Sequence, residues 1–98
     1  MSAAPATAPQ LVAFDVDRHW HLHPQVALRD ESFGALAYHY GTRRLHFLKS
    51  RLLCQLISSL ERFDSAGAAI EAVVPEHERP RYVRALAGLA ESGVIDAD

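Results

Sequence analysis

The chain has 98 residues, of which 49% are hydrophobic, 22% charged and 8% aromatic, the profile of one ordinary globular domain and neither of a disordered nor of a fibrous chain. Its formal net charge of -2 speaks against a nucleic-acid binder that works through bulk positive charge. The single cysteine, Cys54, rules out an intrachain disulfide or a Cys-rich metal site and suits a reducing, cytoplasmic compartment.

Residues 1–10, rich in Ala and Pro without apolar periodicity, read as a disordered lead-in. They lack the basic and apolar regions of a signal peptide. No apolar run approaches the roughly 20 residues that span a bilayer, so no membrane association is expected. Residues 11–98 form the single folded domain. From Leu11 to Pro24 the chain is expected to drape over that domain, with Trp20 and Leu22 on one side of an extended segment.

Gln25–Arg29 is a strand, with Val26 and Leu28 facing one way, and Asp30 with Glu31 supplies a turn. Phe33–Tyr40 is the second strand and Arg43–Leu48 the third. Between them Gly41-Thr42 fits a two-residue type II′ hairpin loop. That loop pairs Tyr40 with Arg43, Tyr38 with Leu45 and Leu36 with Phe47 on one face, bulky and apolar and therefore expected inside. On the other face His39 meets Arg44, Ala37 meets His46 and Ala35 meets Leu48, so Arg44 and His46 are expected to point outward.

Ser50 stands at an N-cap position, and Leu52, Leu53, Leu56, Ile57, Leu60 and Phe63 then share one arc of a helix. Asp64 or Ser65 caps a second, shorter helix through Ile70 and Val73, ended by Pro75. A third begins at Pro80 or a turn earlier, among Glu76 and Glu78, and buries Tyr82, Val83, Leu86, Leu89 and Ala90. Gly93 is placed as its C′ residue, after which Val94 and Ile95 pack back. Three antiparallel strands followed by three helices make an α+β, winged-helix-like domain.

Charge is unevenly distributed. Seven of the ten Lys and Arg residues lie in two stretches, Arg43, Arg44, Lys49 and Arg51, then Arg79, Arg81 and Arg84, and no acid falls between Glu31 and Glu61. The third strand's outer rim leaves N–H and C=O groups free to accept an extended peptide. An acidic peptide suits the flanking arginines. The competing reading is a solvated surface, with Arg44 and His46 guarding an edge against aggregation.

Three segments, His23-Pro-Gln-Val-Ala-Leu-Arg29, Phe33-Gly-Ala-Leu-Ala-Tyr38 and Gly41-Thr-Arg-Arg-Leu-His-Phe-Leu-Lys-Ser50, together with Arg79–Ile95, resemble the PqqD-like family. Its members are the peptide-recognition elements of ribosomal peptide-modification pathways, and the peptide chaperones of mycofactocin systems are the nearest branch. The resemblance covers Phe14–Ile95. It implies a module without an active site or cofactor, a monomer or weak homodimer, that binds a precursor peptide's leader and presents it to a radical S-adenosylmethionine maturase. The docking edge it implies comprises Arg44, Leu45, His46, Phe47 and Leu48. Arg81, Tyr82, Arg84, Ala85 and Gly88 would line the helix side.

Other chemistries are weaker in the residues. His19, His21 and His23 alternate, so an extended segment projects all three imidazoles from one face, a spacing able to chelate zinc, nickel or copper; a strand-entry role is the simpler reading, and no metal is assigned. Cys54, at the margin of the first helix's apolar arc, reads as a small packed thiol. Asp15-x-Asp17 reads as a turn rather than a paired-acid site. A winged helix-turn-helix DNA binder presenting Arg81 and Arg84 is the rival class, and the acidic balance opposes it.

Overall fold

The computed structural model describes residues 13–98; the lead-in assigned to residues 1–10 lies outside the described residues. The elements in chain order are β1 (Trp20–Leu22), β2 (Val26–Glu31), β3 (Gly34–His39), β4 (Arg44–Leu48), α1 (Arg51–Ser59), α2 (Ala66–Val73), α3 (Arg79–Glu91) and β5 (Ile95–Ala97). Single 3-10 turns at Leu60–Arg62 and Glu76–Glu78 join the helices. The fold is thus α+β, an antiparallel sheet of order β2-β3-β4 followed by three helices.

The helices start and stop where their side chains say. Ser50 caps α1 by accepting from the Leu53 N–H, and Ser65 caps α2 by accepting from the Ala68 N–H. Pro80 sits in the first turn of α3, where its missing N–H removes no helical bond. The end of α3 is a Schellman motif: Gly93 has φ 81, its N–H reaches the Ala90 carbonyl, and the Val94 N–H reaches that of Leu89. Leu56, Ile57 and Leu60, Ala66 and Ile70, and Leu86, Leu89 and Val94 meet in one core.

Two turns differ from the sequence reading. β2 runs on through Asp30 and Glu31, and the tight two-residue loop is Ser32-Phe33, closed by the pair Glu31 and Gly34. Gly34 has φ 147, and a Cβ there would collide with the Leu48 carbonyl, so the position demands glycine. The β3–β4 connection is a four-residue loop, Tyr40–Arg43, and Arg43, not Gly41, takes the positive φ, 62°. No type II′ turn forms at Gly41-Thr42, and Tyr40 with Arg43 is not a ladder pair. His39 explains the change: its buried ring accepts the Gly41 and Thr42 N–H groups at Nδ1, 3.0 and 3.2 Å away, organising the wider loop.

The register of the hairpin is as expected, with Leu36 opposite Phe47, Ala37 opposite His46 and Tyr38 opposite Leu45. The faces are the reverse of expectation. Ala35, Ala37, His39 and Leu48 point into the core. Leu36, Tyr38, Leu45 and Phe47 share the opposite face, where Leu45 is 56% and Phe47 62% exposed. The helices lie close on the sheet, and that approach leaves room for alanine methyls rather than tyrosine or phenylalanine rings.

A second, two-stranded sheet was not foreseen. β1 pairs antiparallel with β5, so the draping segment becomes a clasp between the two ends of the fold. Trp20, fully buried beside the Phe14 ring, donates its indole N–H to the Asp15 carbonyl at 2.8 Å. His19 and His21 both meet the Asp98 carboxylate, and the other His19 ring nitrogen lies 2.9 Å from the Glu61 carbonyl. Two acceptors on one ring call for two N–H donors. The Glu61 carbonyl first and the Asp98 carboxylate second therefore raise the His19 pKa, while the His19 hydrogen bond lowers that of Asp98.

Candidate functional site

Among the described residues the β2-β3-β4 sheet has two open edges, and they differ electrostatically. β2 ends in Arg29, Asp30 and Glu31, with Arg29 bound to Glu31 at 2.7 Å. β4 is flanked by Arg43, Arg44 and Lys49, which make no ion pair among the described residues. An extended acidic segment is repelled from the first edge and attracted to the second.

α3 is tied to the sheet side near both of its ends. Tyr82, near its start, is buried and shares a 2.9 Å hydrogen bond with the Ser50 hydroxyl just past the end of β4. Gly93, just past the end of α3, lies against the ring of His39, whose ladder partner is Arg44 at the start of β4. A helix of 13 residues measures about 20 Å, and a strand of five about 17 Å. Strand edge and helix are therefore matched in length.

The sequence-derived residues fall into three groups. Arg44 and His46 stand on the helix side of the sheet, opposite to the outward direction expected of them, because they share a face with Ala35, Ala37 and Leu48. Leu45 and Phe47 point away from the helices into solvent, correcting their assignment to the core along with that of Tyr40, which is 60% exposed. Leu48 and Tyr82 are buried, so their side chains anchor the strand and the helix and are closed to a ligand. What β4 offers at Leu45–Leu48 is its backbone.

On the helix, Arg84 is exposed and unpaired among the described residues, Ala85 is half-buried, and open space surrounds the missing Cβ of Gly88. Arg81 leans on Tyr82, 5.9 Å from its ring centroid, with Glu78 at 3.7 Å. Arg79 is committed elsewhere, donating to the Val74 and Glu71 carbonyls at the end of α2. Of the three arginines on α3, Arg84 has most freedom to meet an anion. A duplex-reading helix would need more such groups.

His46 has a buried Nε2 without a hydrogen-bond partner among the described residues. Burial first, then the electrostatic influence of the neighbouring His39 and Arg44, holds its pKa below the ordinary range, so near neutral pH the ring is uncharged. Cys54 is half-buried on α1, its thiol pushed up first by burial and then by Asp30. A thiol held protonated is a poor nucleophile. His23 leaves the clasp to stack on His39, ring centroids 4.6 Å apart. No group of three His, Cys, Asp or Glu side chains among the described residues is arranged to hold a metal ion. No helix among them is long and apolar enough to cross a membrane.

Sequence reasoning missed one feature of the surface. Leu36 and Tyr38, with Leu45 and Phe47, form an apolar outer face, extended by Phe33 at 41% exposure. The alternation that defines it was visible in the hairpin; its direction was not.

Comparison with known proteins supplies the family. A family model described as the peptide chaperone MftB family matches residues 19–96. The chain is 46% identical over 83 residues to the peptide chaperone MftB of Mycobacterium tuberculosis, spanning 84% of this chain and 76% of the relative. Over 84 residues it is 48% identical to the protein of that name from Mycobacterium ulcerans, spanning 85% and 77%. For the Mycolicibacterium smegmatis protein the identity is 42% over 85 residues, spanning 86% and 83%. No solved structure matches.

Proposed function

The chain belongs to the peptide chaperone MftB family, and on that premise we propose that it binds the leader of a ribosomally made precursor peptide, that of a mycofactocin system, by strand addition along β4. It hands the bound leader to a radical S-adenosylmethionine maturase in the cytoplasm and performs no catalysis itself. The observation that carries the reading is the open β4 edge, flanked by cations that make no ion pair among the described residues, with Tyr82 of α3 bonded to Ser50 just past its end.

The leader's backbone continues the sheet, and its side chains alternate between the helix side and the outer side. An edge of five residues offers about five main-chain hydrogen bonds, each worth about 1 kcal/mol net. That falls short of the ~8 kcal/mol of micromolar affinity. Side chains must supply the rest, and on the helix side Arg44 and Arg84 favour carboxylates, while Gly88 gives a ligand side chain room against α3. Catalysis then belongs to the maturase, for which this module raises the local concentration of substrate.

Calorimetric titration of the precursor peptide into the wild-type chain and into Arg84→Glu tests the electrostatic part. The variant is expected to bind about tenfold more weakly and to melt at the wild-type temperature, since the side chain is exposed. Equal affinity would discard charge selection at α3 and leave the strand edge alone.

A further inference from the structure

The outer face of the sheet can be laid out from its ladder pairs. One row reads Ala27, Tyr38, Leu45 and the next Arg29, Leu36, Phe47. The first row and its neighbours Leu28, Arg29 and Leu36 line a shallow depression of about 290 Å³. Phe33 packs edge-on against Phe47, with Lys49 beside them, and Tyr38 packs edge-on against Tyr40. Among the described residues no element covers these rings, and a monomer gains nothing by exposing them.

We propose that this face is a second docking surface, and that its occupant is the folded maturase, bound through a patch of apolar side chains edged by Asp and Glu. The inference rests on the leader-chaperone reading for the identity of the enzyme. Three features of the face select that occupant.

The first is charge. The cations around the face, Arg43, Lys49 and Arg29, have a single acid among them, Glu31, already bound to Arg29. The occupant's rim must therefore be acidic. A second copy of this chain would bring the same cations against themselves.

The second is area. Three strands about 4.8 Å apart and about 17 Å long cover only some 250 Å², well below the roughly 800 Å² per partner of a stable interface. A second copy would have to add contacts around the rim, where the same cations face each other. A larger protein can add contacts beyond the sheet.

The third is continuity. A leader paired with β4 lies one strand spacing beyond Leu45 and Phe47, in the plane of the same face. An enzyme seated there touches chaperone and substrate together, which neither a lipid surface nor a second copy would exploit.

The test uses the full chain with the purified maturase and the precursor peptide. Arg29→Glu and Phe33→Glu both lie off the β4 edge, on an exposed side chain and in a turn. The double variant is expected to bind the enzyme at least about tenfold more weakly, while its affinity for the precursor peptide, measured on the same samples, stays within about twofold and certifies the fold. Enzyme affinity within about twofold of wild type overturns the assignment. So does dimerisation by sedimentation, or binding to anionic phosphatidylserine vesicles, that the double variant loses while the enzyme still binds. A wild-type chain that takes the enzyme through this face but never the precursor peptide would sink the strand-addition reading and leave the face assigned.

Discussion

The two faces of the β2-β3-β4 sheet carry side chains of opposite size from those their burial suggests. Against the helices stand Ala35 and Ala37, both essentially inaccessible, with the polar His39 between core and loop. Toward solvent stand Leu36, Tyr38, Leu45 and Phe47. Apolar volume therefore lies on the side that faces solvent, and smallness marks the side that meets the protein's own helices. A core needs complementary volume, not the largest residues available.

Substitution tests that contrast most sharply on the central strand. Ala37→Leu forces three extra carbons between sheet and helices and is expected to cost about 1–3 kcal/mol in urea unfolding. Phe47→Ser, on the adjacent strand but the other face, should change stability by no more than about 0.5 kcal/mol. Reversed magnitudes would invert the two faces. Ser50→Ala probes how the inner side is tied to α3, because it removes both the α1 cap and the partner of the Tyr82 hydroxyl. A loss of about 1–2 kcal/mol is expected in the same experiment.

The smallest effect concerns the polar group on the inner face. His46 has its pKa lowered by burial, so the folded chain accepts that proton less readily than the unfolded one. Its contribution to stability is full above the ordinary value of 6.5, falls as pH drops through 6.5 toward the depressed value, and then levels off. Thermal melting of wild type against His46→Leu should show the difference between them growing to the variant's advantage from pH 7 to pH 5. A pH-independent difference would mean that the ring is as solvated as an outer-face residue.

Much of this architecture was legible in the residues. Ser50, Ser65, Pro80 and Gly93 marked helix ends by capping chemistry that acts locally, and the hairpin register followed from centring the turn on Gly41-Thr42, although the turn type did not. The faces were not legible, because ranking them by bulk ignores how closely α1 approaches the sheet. The Gly41 turn misled because the buried acceptor that organises the loop, His39 Nδ1, is a tertiary feature. β1 and β5, three residues each, are too short for periodicity to register, and they depend on each other across most of the chain. For the site, the β4 edge and Arg84 were named from sequence, whereas the roles of Leu48 and Tyr82 as buried anchors appear only once the helix is in place.

The central claim is that the precursor leader adds to β4 and not to β2, the sheet's other open edge. Nitrogen-proton spectra of the labelled chain, titrated with the precursor peptide, read both edges at once. The account predicts that amides of residues 44–48 shift and become protected from hydrogen exchange, while those of residues 26–31 on β2 do not change. Protection at β2 with β4 unaffected, or saturating binding that leaves both edges unchanged, would contradict it.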